Sequence, residues 1–133
     1  MTSTGLAALV GHARVILLDF DGPVCSVFAQ HPASAVAHQL RKLLVDQAVT
    51  LPTEILTEPD PLAVLRFTAT LDHPVVVRLV DQALRREEIT AARTAQPTPY
   101  GREVIVAAHQ TGRQVAMVSN NSAESVRVYL EIH

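Results

Sequence analysis

The sequence predicts an α/β protein: a parallel sheet represented by two short strands, with a block of helices inserted between them. Three observations carry that reading. Two apolar runs, at residues 15–18 and 115–118, are short, and each ends in a polar loop. Between them the apolar residues recur at helical spacing, and no stretch reads as a strand. With 48% hydrophobic residues, 133 positions suffice for one domain with a real core and are too few for two ordinary ones.

Taken in order, residues 6–13 suit a short helix. Val15, Ile16, Leu17 and Leu18 then form a continuous apolar run that stops at Asp19, the pattern of a strand covered on both faces. Gly22 and Pro23 break any regular element, so residues 19–23 form the loop at the strand's C-terminal end, where open parallel sheets bind ligands. Over 34–49, Val36, Leu40, Leu43 and Leu44 follow helical spacing until Leu51-Pro52 interrupts it. Asp60-Pro61, an acidic cap before a first-turn proline, starts a second helix through Leu62, Leu65 and Phe67 to about 71. A third begins at Pro74 with Val76, Leu79, Val80, Ala83 and Leu84 on one face and Arg85, Arg86, Glu87 and Glu88 near its polar end, where Arg85 and Arg86, beside two glutamates, read as a solvated face rather than as ligands of a substrate anion. Residues 96–100, with two prolines, lead into a helix stopped by Gly112. The second strand ends in Ser119-Asn120-Asn121-Ser122, and a last helix over 123–132 takes Asn121 or Ser122 as its cap.

Composition narrows the function classes. A formal charge of -2, with the eleven basic residues scattered, offers no stripe for a nucleic acid or an anionic membrane. Cys25 is the only cysteine, so no internal disulfide forms, which suits a reducing compartment. The apolar run near the N-terminus is short and has no basic residue before it, and no run approaches the roughly 20 residues of a spanning helix; a soluble, cytoplasmic protein is expected. The six histidines show neither HxH nor HExxH spacing, so none is read as a metal ligand. Nothing in the local sequence places a base beside Cys25, which reads as small apolar packing.

The chemistry concentrates in Asp19 and Asp21, two carboxylates separated by one residue where a strand opens into a glycine turn. Both residue types also suit a plain strand end and turn. Their mutual repulsion is put to use if a divalent cation or a substrate phosphate sits there, and hard oxygen ligands are what Mg2+ prefers. An EF-hand count from Asp19 puts Gln30 where the bidentate glutamate belongs, which removes that alternative.

The full string VILLDFDGPV resembles the first motif of the haloacid dehalogenase superfamily, a hydrophobic strand running into DxDGT or DxDGV. VAMVSNNS resembles the second motif of that family, a hydrophobic strand ending in Ser or Thr. The resemblance implies a Rossmannoid parallel sheet, represented by its first two core strands, and a phosphomonoester hydrolase dependent on Mg2+. Asp19 would be the nucleophile that forms an aspartyl-phosphate and Asp21 the general acid and base, both also metal ligands. Ser119, Asn120 and Gly22 would hold the phosphate. Residues 1–31 and 96–133 then form a partial core, and 32–95 a helical cap like those of the phosphoglycolate-phosphatase-like branch, closing over a small phosphorylated metabolite.

The sequence departs from that family at Pro23, where Thr or Val is usual, and after the second motif. There the family places a basic third motif and an acidic fourth motif that completes the magnesium site. Here only Glu124 and Glu131 supply carboxylate side chains after Ser119, Arg127 lies one helix too early for the third motif, and the sole lysine, Lys42, belongs to the helical block. The chain therefore reads as a C-terminally truncated member, with an open sheet edge that invites self-association. Two functional expectations follow: a phosphatase acting through Asp19, or an inactive remnant serving as a binding or self-associating module. A response-regulator-like phosphoacceptor domain fits less well, because of the helical insert and the paired aspartates.

Overall fold

A computed structural model describes residues 2–133 as a mixed α/β chain with seven helices and a small two-stranded parallel sheet among the described residues. The chain divides into two compact units, residues 2–26 with 96–120, and residues 27–95 with 121–133.

The first unit holds the helix α1 (Ser3–His12), the strand β1 (Val15–Asp19) and the short strand β2 (Cys25–Ser26). After the helical insert come β3 (Gln96–Pro97), α6 (Gly101–Gln110) and β4 (Gln114–Val118); the remaining helices belong to the second unit. β1 and β4 pair in parallel, with Leu17 opposite Ala116 and Asp19 opposite Val118. β2 and β3 pair antiparallel, Cys25 opposite Pro97, a contact that the sequence reading did not anticipate. Arg113 ties α1 down: its Nε donates to the carbonyls of Ala13 at 3.1 Å and Val10 at 3.3 Å, and its Nη2 to that of Gly11 at 3.3 Å. A cation on the last carbonyls of a helix also complements its dipole.

The expectation of strands covered on both faces is corrected here. Both strands alternate between exposed and half-buried residues. Side chains in register across parallel strands share a face, so Val15, Leu17, Ala116 and Val118 form one apolar face. It is open to solvent, with Leu17 65% and Val118 61% exposed. Ile16, Leu18, Val115 and Met117 on the other face are half-buried. Continuous apolarity signals that both faces can be buried; covering them takes a layer on each side. α6 packs against β4, while α1 buries none of its residues.

The second unit is helical: α2 (Ala33–Asp46), α3 (Thr53–Leu56), α4 (Pro61–Ala69), α5 (Pro74–Thr94) and α7 (Ala123–Ile132). Its core is the stripe Val36, Ala37, Leu40 and Leu44 of α2 meeting Val64 of α4 and Val76, Val80 and Leu84 of α5. Asp60 caps α4 by accepting from the Leu62 amide at 2.9 Å, with Pro61 in the first turn. The last helix, grouped in the sequence reading with the strands, packs on α5 in this unit. Ser122 caps it, accepting from the Ser125 amide at 3.3 Å. Glu88, placed by sequence near the polar end of α5, is only 4% exposed, and its Oε2 accepts from the Ser122 amide at 2.8 Å. A carboxylate on the first amides of a helix is favourable there. Glu87, its neighbour, is half-buried and meets His31 Nε2 at 2.5 Å. No helix of the described residues is long and apolar enough to cross a membrane.

Candidate phosphoryl-binding site

The C-terminal ends of β1 and β4 lie side by side because the strands are parallel and in register. Asp19 is the last residue of β1, and Ser119 directly follows β4, so the carboxylate and the hydroxyl come from adjacent strand ends about 4.8 Å apart. Leu17, Leu18, Asp19, Val118, Ser119 and Asn120 line a shared cavity of about 420 Å³. Asp19 and Asn120 are exposed and Ser119 is half-buried. The structure thus brings together three of the five residues expected from sequence.

The other two, Asp21 and Gly22, sit on the loop beyond β1 and do not line that cavity. This loop is held in a tight fold. The Val24 and Cys25 amides donate to the Phe20 carbonyl at 3.3 and 3.2 Å, and the Gly22 amide donates to the Cys25 carbonyl at 2.7 Å. Gly22 has φ +114°, a conformation that side chains resist, so glycine is what the turn requires. Its amide, expected to cradle phosphate, is committed to Cys25 in this conformation; the residue serves the loop as a turn.

Two residues that sequence reasoning missed fix this loop from the far end of the chain. The Thr98 amide donates to the Val24 carbonyl at 3.0 Å, and the Thr98 hydroxyl donates to the Gly22 carbonyl. Gly101 lies so close that an added Cβ would stand 2.8 Å from the Pro23 carbonyl oxygen. The only signal for them was local: a threonine between two prolines, then a glycine opening a helix. Local pattern reports a turn, not the distant backbone it grips.

Electrostatics separates the loop's acidic and sulfur groups. Cys25 is fully buried, and burial, reinforced by the negative charge of Asp21, pushes its thiol from 9.0 up to about 12. A thiol so far from ionisation is no nucleophile at neutral pH. Of the two aspartates only Asp19 lines the cavity, with Asp21 two residues on along the loop, and no group of three or more His, Cys, Asp or Glu side chains converges among the described residues. That donor set fits Mg2+ only as an ion that keeps most of its waters and shares a substrate's phosphate oxygens, a mode this cation commonly adopts.

The sequence matches no protein-family model and no curated protein.

Proposed function

We propose that this site performs phosphoryl transfer from a small phosphomonoester to Asp19, followed by hydrolysis, in the manner of the haloacid dehalogenase phosphatases. The single observation that supports it most is the shared cavity of Asp19 and Ser119 at adjacent ends of parallel strands. An exposed carboxylate oxygen can attack phosphorus in line with the leaving alkoxide, and the Ser119 hydroxyl can donate to a non-bridging oxygen. Asp21, two residues on, is the side chain available to protonate the leaving oxygen and then to take a proton from the attacking water. Asp19 and Asp21 would hold Mg2+, which when bound supplies positive charge against that of the phosphate. The test is phosphate release from an aryl phosphate, with and without Mg2+. The proposal expects Mg2+-dependent turnover that Asp19→Asn abolishes; turnover equal in both proteins would overturn it.

A second reading, a non-catalytic module that associates with itself, is favoured by a different observation. Among the described residues no third strand pairs with β1 or β4, and the face of Leu17 and Val118 is open. Unpaired edges of an apolar sheet add strands from other chains. This reading expects an assembly that grows with protein concentration in sedimentation velocity, and a monomer at all concentrations would remove it.

A further inference from the structure

In the helical unit, His38, Arg41, Lys42 and Val45 stand at i, i+3, i+4 and i+7 on α2, which places them on one face. That face points away from the stripe of Ala37, Leu40 and Leu44 that enters the core. Together with Leu51 and with Leu56 of α3, these four residues line a cavity of about 330 Å³. Its walls therefore divide by chemistry: three basic side chains, His38, Arg41 and Lys42, against three aliphatic ones. No carboxylate lines it, in a chain whose 13 acidic residues outnumber its 11 Lys and Arg. Of the acidic residues nearby in sequence, Glu58 spends its carboxylate on the Asp60 amide at 2.9 Å, and Asp46 and Glu54 are not among the lining residues.

Arg41 is set in place before any ligand arrives, because its Nη1 donates to the Glu58 carbonyl. A held guanidinium loses less freedom when it meets an anion, and that preorganisation favours binding. Val45 and Leu56 remain 57% and 54% exposed, so apolar surface stays available beside the charges. Concave sites of this volume with an apolar wall and a few convergent polar groups are the usual form of small-molecule sites.

We propose that this cavity binds a small amphiphilic anion: a carboxylate met by Arg41 and Lys42, carried on an aliphatic chain that lies on Val45, Leu51 and Leu56. The site belongs wholly to the helical unit, shares no residue with the Asp19 cavity, and stands whether or not phosphoryl transfer occurs.

Octanoate serves as the probe, titrated into the 133-residue chain and followed by amide NMR shifts, with octanol and acetate as the two half-ligands. The expected result is a saturable shift centred on His38, Lys42, Leu51 and Leu56, stronger for octanoate than for either half-ligand. Lys42 and Leu56 are both exposed, so their variants retain the fold. Lys42→Glu weakens octanoate at least threefold, the scale of reversing one charge in an exposed pair, and Leu56→Ser weakens octanoate while leaving the acetate response unchanged. Shifts confined to Leu17 and Val118, no saturation, octanol binding as well as octanoate, or a Lys42→Glu effect below threefold would each overturn the proposal.

Discussion

The place of Asp19 at the end of a strand is legible from sequence because it depends only on its neighbours: an apolar run before it and a glycine turn after it. Gly22 and Gly101 show two different reasons for the same residue type. Gly22→Ala forces a side chain to φ +114°, and a loss of roughly 1–3 kcal/mol in denaturant unfolding is expected. Gly101→Ala drives a Cβ against the Pro23 carbonyl, a backbone atom that cannot swing aside; about 1–3 kcal/mol is expected from the same measurement. Of the two, only Gly22 was readable beforehand, since a positive φ belongs to a local turn whereas the Gly101 contact joins positions nearly eighty residues apart. Cys25 contributes a pH signature. Its folded thiol ionises near 12 and its unfolded thiol near 9.0, so the unfolded chain releases this proton first as pH rises. The contribution is complete below about pH 9 and is lost between about 9 and 12. Relative to Cys25→Ala, the native protein should lose about 1.4 kcal/mol per pH unit in that window and show no pH-dependent difference below it.

Among the elements, helices were easier to read than their partners. The α2, α4 and α5 stripes follow from period and caps, and their meeting in one core follows from burying those stripes together. The membership of α7 did not follow, because the residue that holds its start, Glu88, looks from sequence like part of a charged run. Its neighbours Arg85 and Arg86 are exposed while Glu88 is buried, a difference of rotation about α5 that charge alone conceals. Removing that carboxylate strands the Ser122 amide and opens space beside it. Glu88→Ala should therefore cost about 2 kcal/mol in urea unfolding, whereas Glu88→Gln, which retains an acceptor oxygen, should cost distinctly less. The strands reverse the lesson: their existence and parallel pairing were readable, and their burial was not. An apolar run states what a strand tolerates, and the layers around it decide what it gets.

At the scale of the whole molecule, the helical unit closes around a contiguous core, and the strand-bearing unit leaves Leu17 and Val118 on one face of its parallel sheet more than half exposed. Apolar surface on a sheet with unpaired edges favours association. Leu17→Lys, which charges that face without disturbing a buried contact, should reduce any concentration-dependent assembly in sedimentation velocity; an unchanged distribution would place the association elsewhere. At the strand ends, Asp19 and Ser119 share the cavity where phosphoryl transfer is proposed. The decisive experiment is to incubate the protein with an aryl phosphate and Mg2+, quench, reduce with borohydride, and map the peptides by mass. An acyl phosphate on Asp19 is reduced to homoserine at that position. The expected result is this change at position 19, dependent on Mg2+ and absent from Asp19→Asn; an unmodified Asp19, or modification at another carboxylate instead, would overturn the assignment of Asp19 as nucleophile.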